Sequence, residues 1–316
     1  MTWVPLALAT KSSQSRYGYE GAGRLINCYA EATGTEGKNA FAVYATEGLD
    51  TWVTPVSGRL WAILRTDTML YGVTGVTVWG IDLNDVITII STLPIEGPCY
   101  LARNRRSPTT EIGLVTAQDN KYYVITGTGI VNVTTNLLGT PTSLDVRDGY
   151  FCLSTNFNRY QITGEDNATS LSVLDFGKAQ RSPDEIMRVI STETDIVLMG
   201  PDSIEWHQNS PSTTVTFPFV PVANIELGLL SARAAVRLDR DVYWIASDGT
   251  VKRMEGYGGV TISEPALERA IGSVADASTI FAFAWNSRTL GHSFVAFSCP
   301  EWTWVYDVRE GLWHEA

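Results

Sequence analysis

The side chains best suited to proton transfer or metal binding are few and far apart in this sequence. Its three histidines are His207, His292 and His314. Imidazole titrates near neutral pH and is the commonest metal ligand in proteins. The first histidine ends one predicted strand, the second precedes another and the third lies near the C-terminus, so no regular spacing joins them. We predict that they are hydrogen-bonded residues at strand ends and that the chain has no catalytic and no metal site.

Carboxylates number 34, so some pair will always resemble an acid–base site. A glycosidase needs two carboxyl groups aimed at one bond. Asp145 and Asp239 each follow a predicted strand that could direct an acid into a central funnel, yet both residues suit turns equally well. Residues 247–249 (SDG) lack the rest of a sialidase Asp-box, and the G-x-S-x-G motif of serine hydrolases is absent. The sequence therefore favours a protein that is not an enzyme.

One basic cluster occurs, with Arg103, Arg105 and Arg106 around Asn104 in a predicted loop. Solvated loop charges are one interpretation, and a contact with an acidic partner or a DNA phosphate is the other. The whole chain carries a formal net charge of −11 and has a pI near 4.8. This balance argues against a protein that grips nucleic acid over a wide surface.

The sequence predicts no cofactor site. The GYEGAG stretch at residues 18–23 follows no apolar strand and precedes no Lys-Ser or Lys-Thr pair, so it does not indicate a nucleotide-binding loop. The cysteines are scattered without a C-x-x-C pair, which indicates buried free thiols rather than a zinc site or a disulfide framework. They are Cys28, Cys99, Cys152 and Cys299.

The elements that must position these residues are repeated hairpins. Residues 241–254 (DVYWIASDGTVKRM) read as two alternating strands joined by an Asp248–Gly249 turn. The repeat starts lie roughly 38 to 52 residues apart, near the period of four-stranded propeller blades. Variants of the hairpin occur at residues 68–81, 111–125, 149–162, 195–208 and 293–308.

Further strands are predicted around each hairpin, which makes four strands per repeat. The preceding strands start at Leu60, Tyr100, Ser143, Met187, Ala234 and Phe281, and the following ones at Val86, Gly129, Ser170, Val215 and Val260. The predicted fold class is all-β, a β-propeller with six four-stranded blades.

Because little chain remains after Gly311 for the last outer strand, we expect a strand starting at Phe41 to pair with the sixth blade and close the ring. The predicted domains are an N-terminal arm at 1–40 and a propeller at 41–316.

Helical and membrane signals are scarce. Residues 263–273 (SEPALERAIGS) predict one helix, and residues 182–186 predict a single turn. A composition of 44% hydrophobic and 18% charged residues is that of a folded protein. No apolar run is as long as a membrane span, and residues 1–11 lack the order of a signal peptide. We therefore expect synthesis in a cytoplasm and no membrane partner.

Several short pieces in the last third of the chain stand out, namely VYWIASDG at 242–249, GY at 256–257, ISEPALE at 262–268, GHSF at 291–294, WVYD at 304–307 and GLWHE at 311–315. With these pieces the chain resembles the packaged-DNA stabilisation, or tail hub and nozzle, proteins of short-tailed bacteriophages. The N-terminal RLINCYAE at residues 24–31 and EGL at 47–49 are similar to the opening of that family. His292 in the Gly-His-x-Phe step is expected to fix a turn.

The resemblance implies a structural protein of the virion tail that is assembled in the host bacterial cytoplasm. Its expected partners are further copies of itself in a six-membered ring, the portal-adaptor protein and tail fibre or spike proteins. The ring would seal packaged DNA in the head and let it leave through a channel without sequence-specific binding. An acidic channel wall would avoid trapping DNA.

Two other functions stay open at this point. A propeller could act as a receptor- or carbohydrate-binding tail protein, in which case it would be a trimer or monomer with measurable glycan affinity. It could also be a hydrolase, in which case turnover would depend on one funnel carboxylate.

Overall fold

The computed structural model describes residues 9–12, 23–33, 40–46, 51–127, 129–155, 157–182, 184–210 and 218–316. The chain forms two compact units, residues 50–228 and residues 1–49 with 229–316. At the N-terminus, β1 (Cys28–Ala32) and β2 (Phe41–Ala45) pair as a two-stranded antiparallel sheet. No helix among the described residues is long and apolar enough to cross a membrane.

The unit of residues 50–228 contains four antiparallel sheets, each a meander of four strands in chain order. Blade 1 has β3 (Leu60–Arg65), β4 (Met69–Thr74), β5 (Thr77–Asp82) and β6 (Ile87–Thr92); blade 2 has β7 (Cys99–Arg103), β8 (Ile112–Thr116), β9 (Lys121–Thr126) and β10 (Gly129–Asn132); blade 3 has β11 (Ser143–Arg147), β12 (Tyr150–Ser154), β13 (Arg159–Gly164) and β14 (Asn167–Lys178); blade 4 has β15 (Arg188–Ser191), β16 (Asp195–Met199), β17 (Ile204–Asn209) and β18 (Phe219–Ile225).

The other unit contributes two more sheets of the same topology. Blade 5 has β19 (Ala235–Leu238), β20 (Asp241–Ile245), β21 (Val251–Glu255) and β22 (Gly258–Thr261); blade 6 has β23 (Phe281–Ser287), β24 (His292–Ser298), β25 (Thr303–Asp307) and β26 (Leu312–Glu315). Six four-stranded meanders are the blades of a β-propeller, so the predicted fold class is confirmed.

The blade 5 hairpin shows how local sequence sets this pattern. Gly249 takes a φ of +80°, which an L side chain rarely adopts. The Asp248 carboxylate accepts hydrogen bonds from the Thr250 backbone N–H at 3.0 Å and from its hydroxyl at 2.6 Å. These bonds hold the turn, and Tyr243 then pairs with Arg253 and Ile245 with Val251.

The second strand of a blade is buried on both faces. Leu114 on β8 clusters with Val78 of blade 1, whereas its neighbour Val115 clusters with Phe151 of blade 3. All four side chains are fully buried. Burying one such side chain stabilises the fold by about 1.5–3 kcal/mol, so blade 2 depends on both blade 1 and blade 3.

The single α-helix of the described residues, α1 (Pro265–Gly272), confirms the prediction at 263–273. Pro265 occupies the first turn, and Leu267 and Ile271 are buried. The predicted turn at 182–186 is wrong for the described residues 182 and 184–186, which are not helical. The Asp184 carboxylate instead accepts hydrogen bonds from the N–H and hydroxyl of Ser203, both at 2.9 Å, and so ties this segment to the β16–β17 hairpin.

The prediction that blade 6 borrows a strand starting at Phe41 is wrong. The four residues Leu312–Glu315 are enough to form the outer strand β26, and the burial of Trp313 and His314 stabilises that strand. The N-terminal segment does pair with this blade, but through the residues before β1. The Glu315 N–H donates to Leu25 O, and the Asn27 N–H donates to Glu315 O, both at 2.9 Å. The domain boundary between residues 40 and 41 stays a prediction.

Deleting residues 1–48 should lower the melting temperature of the chain by on the order of 5–10 °C. The deletion removes the backbone pairing with β26 and the buried ring of Tyr29. Differential scanning calorimetry would measure the effect. The matched control is Phe41→Ala, which changes a side chain that is 37% exposed and should leave the melting temperature nearly unchanged. An unchanged melting temperature after the deletion would contradict this account.

Candidate functional site

His207 lies on β17 in a buried row of three polar side chains. Its Nδ1 is 2.9 Å from the Tyr160 hydroxyl, and its Nε2 is 3.2 Å from Glu205 Oε2. Burial raises the pKa of Tyr160 well above its ordinary value, so this phenol keeps its proton. The Glu205 carboxylate can only accept a hydrogen bond, so the Nε2–H group of His207 donates to it. The row connects β13 to β17 and has both ends engaged.

The Glu205 carboxylate is held charged in this setting. Burial by itself would raise the pKa of Glu205, but the hydrogen bonds from His207 and from backbone N–H groups favour the carboxylate more, and the pKa lies below its ordinary value. The nearest backbone donor is Arg181 N–H at 2.7 Å, with Ser182 N–H at 3.3 Å. Glu205 therefore ties the segment after β14 to β17.

His292 begins β24, and its side chain is fully buried. Its Nδ1 is 2.6 Å from Asp307 Oδ2 at the end of β25, and its ring stacks on Phe294 with centroids 5.8 Å apart. Its Nε2 lies 3.8 Å from Glu31 on β1 and has no hydrogen-bond partner among the described residues. Tyr29 meets the ring edge-on at 5.3 Å. His292 thus lies where blade 6 contacts the N-terminal sheet.

The second oxygen of Asp307 caps the turn that leads into β26. Oδ1 accepts from the backbone N–H groups of Arg309 at 3.0 Å and Glu310 at 3.3 Å. Gly311 completes the turn with a φ of +69°. This arrangement agrees with the expectation that His292 helps to fix a turn, since His292 orients the capping carboxylate.

His314 on β26 lies in an apolar setting. Burial alone lowers its pKa to about 4, so the imidazole is neutral at pH 7. The Phe294 ring meets it edge-on with centroids 6.0 Å apart. Among the described residues, no group of three His, Cys, Asp or Glu side chains is arranged to hold a metal ion.

The two candidate funnel acids are engaged in local structure. Asp145 on β11 accepts from the Ser191 N–H at 2.7 Å and from its hydroxyl at 3.0 Å, which ties blade 3 to blade 4. Asp239 lies in the β19–β20 turn with a φ of +53° and accepts from Asn286 at 3.3 Å. Both acids serve connections between neighbouring strands.

The basic cluster is largely paired with acids. Arg103 lies 3.6 Å from Asp67, and Arg106 donates to Glu111 at 2.8 Å. Asn104 is fully buried and bonds both the side chain and the backbone of Glu111 at 2.8 Å. These contacts hold the conformation of the β7–β8 loop. They favour the interpretation of the cluster as loop charges over a contact with an acidic partner or a DNA phosphate.

All four cysteines are free, and three of them are buried; Cys28 is half-buried. Burial raises the pKa of Cys152 well above its ordinary value, so this thiol stays protonated and unreactive.

An open cavity of about 730 Å³ was not foreseen from the sequence. It lies beside the β12–β13 hairpin, where Phe157 is 76% exposed with a φ of +62°. Its polar lining groups are engaged elsewhere, since Asn158 bonds Ala179 O at 2.8 Å and the Arg159 guanidinium lies over Phe176. Without converging polar groups the cavity has no catalytic character. The cavity could not be predicted from the sequence, because a bulky residue with a positive φ, such as Phe157, leaves no recognisable sequence pattern.

Replacing Glu205 by Gln should lower the free energy of unfolding by about 1–3 kcal/mol at pH 7, because a buried charged acceptor is lost. Since the folded-state pKa lies below the ordinary value of 4.5, the benefit of the carboxylate is complete above about pH 5 and is lost as the pH falls through the folded-state pKa. Urea unfolding at pH 7 and pH 3.5 would show the difference between wild type and variant shrinking in acid. Asp67→Asn, at an exposed carboxylate, is the control; an equal difference at both pH values would contradict the prediction.

The neutral His314 should make stability fall between about pH 6.5 and pH 4. The unfolded chain takes up a proton at the ordinary pKa of 6.5, whereas the folded chain resists until about 4. The stability is therefore complete above pH 6.5, and the loss is on the order of 3 kcal/mol once the pH is below 4. His314→Gln should remove this component from unfolding curves recorded across the range. A variant with the same pH dependence as wild type would show that His314 is not its source.

Comparison with known proteins supports the fold and gives a family. The WD40 β-propeller domain of Doa1 is 12% identical, with a TM-score of 0.52 and 80% of each chain covered. The extracellular domain of the one-component system BT4673 from B. thetaiotaomicron is 13% identical, with a TM-score of 0.50, 81% of this chain covered and 34% of that one. At such identities these structures show the fold alone. A search of curated proteins found no match.

The family described as phage stabilisation, bacteriophage P22 Gp10, β-propeller, matches residues 11–314. This match spans all six blades together with the N-terminal residues that pair with β26. The chain therefore belongs to the phage stabilisation family of β-propeller proteins.

Proposed function

We propose that this chain forms the tail hub, or nozzle, of a short-tailed phage, as a ring of six copies below the portal and its adaptor. The observation that carries the proposal is the family match over residues 11–314. Membership of a family of phage structural proteins indicates incorporation into the virion and favours a non-enzymatic role. In this position the ring seals packaged DNA, holds tail fibres or spikes and provides a channel for ejection.

The interior of the protein supports a mechanical role. Side chains that could do acid–base chemistry are engaged in ties between strands, such as Asp145 with Ser191 and His292 with Asp307. A stack of rings under DNA pressure needs stiff components, and blades that share a core on both faces supply that stiffness.

Charge supports the passage of DNA without capture. The chain carries a formal net charge of −11, and the arginines Arg103 and Arg106 of its basic cluster are paired with Asp67 and Glu111. Repulsion between an acidic wall and phosphate keeps the polyanion from binding during exit.

A receptor- or carbohydrate-binding tail protein is the second candidate, and one feature favours it. Phe281, Phe283 and Trp285 form an aromatic row on β23, with the last two rings stacked at 5.6 Å and 18°. Phe283 is 42% and Trp285 39% exposed. Exposed aromatic side chains are common in binding surfaces.

The test is DNA retention in particles assembled without this chain. Such particles should package a full genome and then lose it, and purified chain added back should restore retention. Nuclease-protected DNA per particle is the measurement, and particles with wild-type chain are the control. Particles that keep their DNA and fail only in host attachment would overturn the hub proposal in favour of the receptor-binding function.

A further inference from the structure

The outer strand of each blade ends in a sheet edge that could pair with another polypeptide. Natural proteins block such edges with charges, proline, short strands or a covering segment. Five of the six outer strands show one of these features. The strands β10 and β22 have only four residues, β14 carries Asp175 and Lys178, β18 contains Pro221, and the backbone of β26 pairs with Leu25 and Asn27.

The outer strand β6 of blade 1 has none of these features. Residues 86–93 (VITIISTL) contain no charge and no proline. Val86 is 56% exposed, Ile87 36% and Ile89 52%. In the part of the chain that the structure describes, β5 is its one hydrogen-bonded neighbour. The register of β6 against β5 shifts between Ile89 and Ser91, and the residues before this shift form an exposed, β-branched and uncharged edge that is a template for a further strand.

The direction of the backbone groups on β6 follows from one hydrogen bond. The Asp82 N–H donates to Val86 O at 3.2 Å, and Gly80 pairs with Thr88 in the same register. Bonding alternates along an antiparallel pair, so Thr88 faces β5 while the N–H and C=O groups of Ile87 and Ile89 face the open edge. The side chains of these two isoleucines lie on one exposed face.

The charges beside this edge restrict what can pair with it. Asp82 ends β5, where its Oδ1 accepts from the Val86 N–H at 2.9 Å, and Asp85 in the turn before β6 is exposed. Backbone hydrogen bonds from Val86 and Asn84 lower the pKa of Asp82, so it is charged at neutral pH. A segment with acidic residues at that end would be repelled, whereas lysine or arginine there would be attracted.

We propose that the open edge of β6 binds an extended segment of another virion protein by strand addition. The segment has β-branched or other apolar residues at alternate positions and a basic residue at the end that meets Asp82 and Asp85. The choice of another protein rests on the proposed function. A second copy would pair β6 with β6 about a two-fold axis, and a cyclic ring of six copies contains no such axis in its plane.

The test uses the full chain and a labelled peptide of alternating threonine and valine between two terminal lysines. Fluorescence anisotropy should show binding to wild type. Ile89→Pro should weaken binding at least about tenfold, because proline removes an N–H that faces the open edge without removing a bond to β5. Ile89→Val keeps that N–H and should bind within about twofold of wild type. Equal melting temperatures would show that the proline variant keeps its fold.

A peptide N-methylated at alternate residues provides a second measurement on the unchanged chain. It lacks the donors for pairing and should bind at least about tenfold more weakly than the parent peptide. Equal binding of both peptides, equal binding by Ile89→Pro, or no binding to wild type would overturn the proposal.

Sedimentation tests whether a second copy of the chain, rather than another protein, occupies the edge of β6. Self-association of wild type that Ile89→Pro abolishes would assign the edge to a second copy and overturn the choice of another protein. The hub proposal is tested separately, by DNA retention in particles that lack the chain. A negative result for peptide binding at β6 would therefore not contradict the hub proposal.

Discussion

The structure depends on the burial of both faces of the middle strands. Leu114 and Val115 are adjacent on β8, yet they pack into the cores shared with blade 1 and blade 3 respectively. A strand in this position must be apolar on both faces, and a blade alone would leave both of them in water. The interior of the unit of residues 50–228 is therefore a series of cores shared between neighbouring blades.

This constraint also explains the fate of the polar residues. A buried carboxylate or imidazole is costly unless its hydrogen bonds are satisfied, so polar groups at strand ends are used to join neighbouring strands and blades. Glu111 of blade 2 accepts from the Ala168 N–H of blade 3 at 2.9 Å, and Asp145 of blade 3 accepts from Ser191 of blade 4. Side-chain types that serve catalysis in enzymes are present, and in these examples they form hydrogen bonds between neighbouring blades. That use suits a family of structural phage proteins.

The sheet edges are where the blades differ in a way that bears on assembly. The Leu25–Asn27 segment covers the outer strand of blade 6, and Pro221 interrupts that of blade 4. The edge of β6 has no charge, no proline and no hydrogen-bonded covering segment among the described residues, although its register shifts after Ile89. Because an open edge invites unwanted pairing, this difference is the basis of the strand addition proposed for β6.

The sequence by itself determined the six hairpins, the four-strand repeat and the helix at Pro265–Gly272. These features follow from local causes, namely alternation of apolar residues, turn residues such as Asp248–Gly249, and a proline in the first helical turn. Short-range chemistry is enough for such predictions because each partner lies within one repeat.

Only the tertiary structure decided which segments meet across long distances in the chain. Leu25, not a strand starting at Phe41, reaches β26, and the expected helical turn near Asp184 is replaced by hydrogen bonds to Ser203. The backbone of any extended segment can pair with a sheet edge, so local pattern does not choose among candidates. The choice depends on burial and side-chain contacts that exist only once the blades have packed, such as Tyr29 against His292.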